Sequence, residues 1–237
     1  MDNTSLKHIL IESRKTILDL LDRRGYNTEP HRKIVGPELL KLVNTPEALR
    51  MTLENKEDSE KKCIVEYVFR NIKVLVGSGD FVRKLLEPPA ESVSKAERAT
   101  MLHSLDAAST EVVIIYMTRA HSEDTLSYDK GALEAWMKHK FRVQFFPMPR
   151  LVSNPLEHVL QPRFEIVPTD QHQELLKEWY CLNEHQTLAQ NKAKLPSIKF
   201  HNDMAARCLG LMPLDIVKIT SFSPTAGEYV KYRVCVP

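Results

Sequence analysis

The chain has 237 residues, 43% of them hydrophobic and 27% charged, with a formal net charge of +2. That length suits one large or two modest domains, each able to bury a core without disulfide or metal staples, and two are expected. The near-neutral balance gives no global drive toward nucleic acid or a membrane, so any basic surface must be local.

The charged start "MDNTSLKHILIESRK" lacks the pattern of a secretory signal, and Cys63, Cys181, Cys208 and Cys235 form no Cys-x-x-Cys pair. A soluble protein of a reduced intracellular compartment is the expectation. From Leu6 to Arg24 apolar residues recur at helical spacing, and Gly25 stands where a left-handed cap would end that helix. A second helix is expected over Pro37 to Val43, followed by an exposed charged connection, "TLENKEDSEKK". The segments "CIVEYVFRNIKVLVGSGD", "EVVIIYMT" and "RVQFFPMP" read as strands, and "DFVRKLLE", "SKAERATMLHSL" and "DKGALEAWMKHK" as helices between them. The apolar run Val112 to Met117 is far shorter than the roughly 20 residues of a membrane span, and no membrane partner is expected.

Three prolines in "FPMPRLVSNPLEH" place a boundary near residue 150. Beyond it, "HVLQPRFEIV" reads as extended, Thr169 as the cap of the helix "DQHQELLKEWY", and the polar "NEHQTLAQNKAK" as a loop. "LPSIKF" is extended again, Asn202 is placed to cap "DMAARCL" with Gly210 ending it, and "DIVKITSF" and "EYVKYRVCV" close the chain as a hairpin. The fold class is therefore α+β: a mixed α/β domain over 1–150, then a small two-layer α+β domain over 151–237 that ends in a β-hairpin.

Few motifs carry chemistry. The turn Gly77-Ser78-Gly79, between a strand and a helix, could hold a phosphate or nucleoside cofactor, but the third glycine and later acid of such sites are absent, and a plain turn is favoured. Glu54-Asn55-Lys56, a Glu-x-Lys, lies in the charged connection, where no neighbouring strand is expected to orient it for a metal-dependent nuclease. His172, Cys181 and His185 lack zinc-ligand spacing. No metal, cofactor or catalytic constellation is assigned. The basic groups Arg14, Lys15, Arg23, Arg24 and Lys138, His139, Lys140, Arg142 read as solvated faces before phosphate-binding ones. Arg119 and His121 follow a core strand, at a loop tip where binding residues often sit. In the final hairpin one face must cover helices. The other, read as carrying Tyr229, Lys231 and Arg233 beside Lys218, is suited either to a protein partner or simply to staying soluble.

Three stretches, "HVLQPRFEIVPTDQHQELLKEW", "LPSIKFHNDMAARCLGL" and "DIVKITSFSPTAGEYVKYRVCV", resemble in order and spacing the carboxy-terminal domain of the fifth shared subunit of eukaryotic nuclear RNA polymerases. The same domain is the whole of the corresponding archaeal polymerase subunit. The carriers are His158, Leu160, Pro162, Glu174 to Leu176, Leu195, Pro196, Ile198, Ala206, Arg207, Gly210, Leu211, Ile216 to Ile219 and Thr225 to Arg233. "RKTILDLLDRRGY" is similar to the family's opening helix and its Arg-Gly-Tyr exit, and the strand and helix layout before the boundary agrees with the eukaryotic jaw domain.

The resemblance implies a noncatalytic nuclear polymerase subunit. Its carboxy domain would pack on the largest subunit through Lys218, Thr225, Ala226, Gly227, Tyr229, Lys231 and Arg233, and its jaw-like domain would lie near downstream DNA, with Arg119 and His121 as candidates for facing it. The alternatives are a free-standing enzyme using Gly77-Ser78-Gly79 and a stand-alone DNA-binding regulator. The chain departs from the family at Gln161-Pro162-Arg163-Phe164, where Val-Pro-Lys-His is usual. It departs again at Asn202 to Ala205, at Pro213-Leu214 in place of an Arg/Lys-Gly turn, and by extra residues around Gln186 to Lys194. Such departures imply a divergent lineage or a copy dedicated to one polymerase class, with RNA polymerase I, and so the nucleolus, as the expectation.

Overall fold

Apolar residues at helical spacing bring Leu10, Ile17, Leu18, Leu20 and Leu21 onto the buried face of α1 (Asn3–Arg23). The helix stops where expected: Gly25 has φ +87°, and the Tyr26 N–H turns back to the Leu21 carbonyl at 3.0 Å. In this computed structural model the described residues are 3–34, 36, 38–39, 49–69, 105–117, 123–179, 182–223, 225 and 227–237. They divide into two units, Met1–Ser153 and Asn154–Pro237, each with its own four-stranded sheet. Helices and mixed sheets make the chain α+β.

In the first unit, α2 (Glu29–Arg32) follows α1, and the strands β1 (Met51–Glu54), β2 (Lys62–Val68), β3 (Thr110–Tyr116) and β4 (Arg142–Pro147) lie side by side in that order. The first pair is antiparallel and the other two are parallel. A parallel strand buried on both faces reads as an unbroken apolar run, and Val112 through Tyr116 are all buried. Helix α3 (Glu123–His139) packs Tyr128, Ala132 and Ala135 into a core with Ile64, Ile114, Val143 and Phe145. Each such large side chain contributes about 1.5–3 kcal/mol by leaving water.

The expected exposed connection after residue 51 is half wrong. Met51 and Leu53 alternate inward as β1, and Glu54 pairs with Lys62 across the hairpin. Two apolar residues are too short a pattern to stand out in sequence; the β2 edge supplies what makes them a strand. The helices expected over "DFVRKLLE" and "SKAERATMLHSL", most of that over Pro37 to Val43, and the Gly77-Ser78-Gly79 turn lie outside the described residues.

The second unit contains β5 (Arg163–Ile166), α4 (His172–Glu178), α5 (Leu188–Lys192), β6 (Ser197–Lys199), α6 (Met204–Leu209), β7 (Ile216–Ser223) and β8 (Gly227–Val236). The sheet order is β5-β7-β8-β6. β7 and β8 form the expected hairpin, while β6 joins β8 in parallel. One face carries Ile216 and Val234 against Leu175 and Leu176 of α4, with Trp179 set edge-on to Tyr232 at 5.2 Å between ring centres.

Three local expectations change. Thr169 opens a 3-10 turn and does not cap α4, which starts at His172. The cap of α6 is Asp203, one residue after Asn202; its carboxylate accepts the Ala206 N–H at 3.1 Å. The polar "NEHQTLAQNKAK" is not all loop: Thr187 and Gln190 form a reciprocal capping box that starts α5. The Lys192 ammonium donates to the Leu214 carbonyl at 2.9 Å, and Leu214 itself sits at φ +77°.

Candidate protein interface

Side chains alternate across a strand, so Cα pairing decides which of them share a face. Val217, Ile219 and Ser221 of β7 pair with Arg233, Lys231 and Tyr229 of β8. On the neighbouring strands, Phe164 pairs with Ile219 and Ile198 with Cys235. All of these belong to the sheet face opposite Ile216 and Val234.

A groove of about 530 Å³ crosses this face. Phe164, Ile198 and Ile219 give it an apolar floor, with Pro162 at one end. Lys231 and Arg233 supply cations along it, while Lys199, paired with Val236, turns to the opposite face; Asn202 and Asp203 close the side at the start of α6. Asp203 is the groove's acid, and its carboxylate already serves its own helix as the cap. The Lys231 ammonium lies 4.7 Å from the Tyr229 ring centre. A hydrogen bond from Lys231, then one from Ser221, then the Lys231 charge hold the Tyr229 phenol below its ordinary range. Arg233 donates to the Ser197 carbonyl at 2.8 Å, tying β8 to the start of β6.

The residues expected together are only partly so. Tyr229, Lys231 and Arg233 do share a face. Lys218 does not: it pairs with Tyr232 on the opposite face, and its ammonium lies 3.8 Å from Glu165. A strand position one residue away points to the other side, so the sequence could not register β7 against β8. Thr225 and Gly227 form the exposed hairpin tip. Gly227 takes φ +69° with open space around it, a turn requirement that any L side chain would strain. Ala226, Arg119 and His121 lie outside the described residues. Sequence reading missed Phe164, Ile198 and Ile219 as groove residues, although the alternation of "DIVKITSF" already put Ile219 opposite Lys218.

The two basic groups expected as solvated faces are corrected at three positions. Arg14 is buried and donates to the Leu49 carbonyl at 3.4 Å, and burial lowers its guanidinium pKa. Arg24 and Arg142 converge on the buried Glu111 at 3.2 and 3.1 Å. Burial would push the Glu111 carboxyl up, but Arg142 and then Arg24 outweigh it and hold it below the carboxylate range. This cluster carries its own counter-ion and is closed to a ligand. Glu54 and Lys56 of the Glu-x-Lys do have a neighbouring strand, yet they turn to different partners: Glu54 lies 4.0 Å from Lys62, and Lys56 2.8 Å from Asp22. His172 is buried against the Val167 carbonyl at 3.0 Å, an internal contact of the second unit.

Residues 153–235 match the model of the RNA polymerase Rpb5 C-terminal domain. An 80-residue stretch is 39% identical to DNA-directed RNA polymerase subunit Rpo5 of Nitrosopumilus maritimus, covering 34% of this chain and 84% of that protein. Over 228 residues, 96% of this chain and 97% of the other, it is 25% identical to DNA-directed RNA polymerases I, II, and III subunit rpabc1 of Dictyostelium discoideum. It is also 30% identical over 105 residues to DNA-directed RNA polymerase V subunit 5C of Arabidopsis thaliana, covering 44% of this chain and 41% of that one.

Proposed function

The chain belongs to the RNA polymerase Rpb5 family, and from that premise we propose that it is a noncatalytic structural subunit of a nuclear DNA-directed RNA polymerase. The observation that carries this reading is the pair of matches: an archaeal-length domain at 39% identity, and a eukaryotic polymerase subunit aligned over 96% of the chain. The second unit is then the assembly module, docking on the largest subunit through the sheet face of Tyr229, Lys231 and Arg233. An apolar floor with a charged margin is what a protein interface needs. The first unit is the jaw-like part near downstream DNA, with Arg119 and His121 as the DNA-facing pair, and the site of action is the nucleus. Metal-bound carboxylates for nucleotide addition would come from other subunits.

Affinity purification of the tagged chain from its own cells tests the reading. Large polymerase subunits are expected in stoichiometric amounts by mass spectrometry, and the class that co-purifies assigns the enzyme it serves, RNA polymerase I included. Their absence under gentle conditions overturns the proposal. Lys231→Glu is the cleaner interface probe, because Arg233→Glu also removes the bond to the Ser197 carbonyl, worth about 1 kcal/mol.

A further inference from the structure

We propose that Ser223 is a phosphorylation site, at which a proline-directed protein kinase transfers the γ-phosphoryl group of ATP to the serine hydroxyl. The Ser223 oxygen bonds to the γ-phosphorus, the bond from that phosphorus to the ADP oxygen breaks, and the hydroxyl proton passes to the kinase's carboxylate base.

The sequence supplies the address. Two Ser/Thr-Pro pairs occur in the chain, Thr45-Pro46 and Ser223-Pro224. The first pair and Pro224 itself lie outside the described residues. A proline after the acceptor biases the acceptor's backbone toward the extended form in which a kinase cleft takes a peptide, and Ser223 is the last extended residue of β7. Thr225, in the same turn, is followed by Ala226 and lacks that signal.

Position makes the hydroxyl reachable. β5 pairs with β7 as far as Thr220, because the next residue, Pro162, has no N–H to continue the ladder. From Ser221 to Ser223 the strand is paired with β8, and Ser223 stands on the last rung opposite Gly227. Phe222 is 81% exposed, and Thr225, Gly227 and Glu228 are exposed as well. The Ser223 hydroxyl lies 3.1 Å from that of Thr225, an exposed contact that can break without opening a core.

Charge on this face suits the product. Val217, Ile219, Ser221 and Ser223 share it with Gly227, Tyr229, Lys231 and Arg233, so these two strands give it two cations and no carboxylate. Glu228, at an alternate position, belongs to the other face. The Lys231 ammonium already leans toward the hairpin tip, over the Tyr229 ring and hydrogen-bonded to its phenol. Rungs on one face are about 7 Å apart, so a phosphate on Ser223 would stand one rung from that ammonium. Carrying about −1.5 to −2 charges, it would draw Lys231 away from a neutral phenol.

The free full-length chain is the substrate for the test, incubated with Mg·ATP and a cyclin-dependent or mitogen-activated protein kinase, with the phosphate mapped by mass spectrometry. Ser223 is expected to take it up. Ser223→Ala should abolish that site, Pro224→Ala should slow it about tenfold or more, and Thr45→Ala should leave it unchanged. Unchanged Trp179 fluorescence certifies the fold of each variant. Phosphate on Thr225 in place of Ser223, none on the hairpin, or indifference to Pro224→Ala overturns the proposal.

Phosphorus NMR then reads the local charge. The second pKa of phosphoserine, about 6 in water, should fall by roughly half a unit on the folded chain and return in Lys231→Ala. Identical titrations refute the contact with Lys231. Tagged chain isolated from its own cells with phosphatase inhibitors should carry phosphate on Ser223, and its absence from both the free and the polymerase-bound pools overturns the site in cells. Failure to recover polymerase with the chain bears on the subunit reading alone.

Discussion

Around Glu111, two arginines far apart in sequence close on a single carboxylate and leave water; along the groove of the second unit, Lys231 and Arg233 stand beside an apolar floor with the local acid spent on a helix cap. In the first case the fold supplies the counter-ion and the charges become part of a core. In the second, among the described residues, no carboxylate pairs with them: Lys231 turns to the Tyr229 phenol and Arg233 to the Ser197 carbonyl, and both keep their charge at the surface. The sequence presents both as interleaved basic and acidic residues. The difference lies in whether tertiary structure delivers a carboxylate within about 3–4 Å of the cations.

The largest expected effect comes from opening the closed cluster. Glu111→Gln strands Arg24 and Arg142 without their counter-ion and should cost the first unit about 3–5 kcal/mol. The two tryptophans separate the readouts, Trp136 lying on α3 of the first unit and Trp179 beside Tyr232 in the second. In denaturant titrations of single-tryptophan variants, the Trp136 transition should move and the Trp179 transition stay. An unmoved Trp136 transition would show that the cluster is dispensable.

Acidification should produce a smaller loss, in the other unit. Burial, then Lys192, lowers the His172 pKa, and burial, then Lys199 and Arg207, lowers that of His201. Both are therefore better tolerated neutral in the folded state. The stability they contribute is present above the unfolded histidine value of about 6.5 and is lost as pH falls through their depressed folded values. Glu111, also held low, keeps its contribution until pH drops below the ordinary carboxylate range. Between pH 6.5 and 5 the Trp179 transition should weaken while the Glu111 cluster holds. A Trp179 transition that is flat across this window, or that remains pH-dependent in a His172→Gln, His201→Gln variant, would refute the assignment.

The smallest effect belongs to the open groove. Lys231→Ala should change the stability of the second unit by no more than about 0.5 kcal/mol. A loss well beyond that would mean that this cation serves the fold, and the contrast with the Glu111 cluster would collapse.

What could be read in advance was local. The α1 stripe and its Gly25 stop, the β7–β8 alternation, and Gly210 at φ +77° after α6 all follow from neighbours a few residues apart. What escaped was long-range or short of signal. Arg24 and Glu111 are 87 residues apart, β1 has only Met51 and Leu53 to announce it, and Lys218 went to the wrong face because register is a property of two strands. The α5 helix is a different case: Thr187-x-x-Gln190 was there to be read as a capping box, and the polarity of its surroundings hid it.

Lys192 and Leu214 meet at the entrance to the hairpin. The α5 helix bears Lys192, whose ammonium holds the carbonyl of Leu214. Leu214 sits in the left-handed region, which glycine would adopt freely and leucine only under strain. A strained turn is thus tethered by one hydrogen bond from a helix 22 residues earlier in the chain, so loss of the Lys192 ammonium would leave the hairpin's entrance without that support.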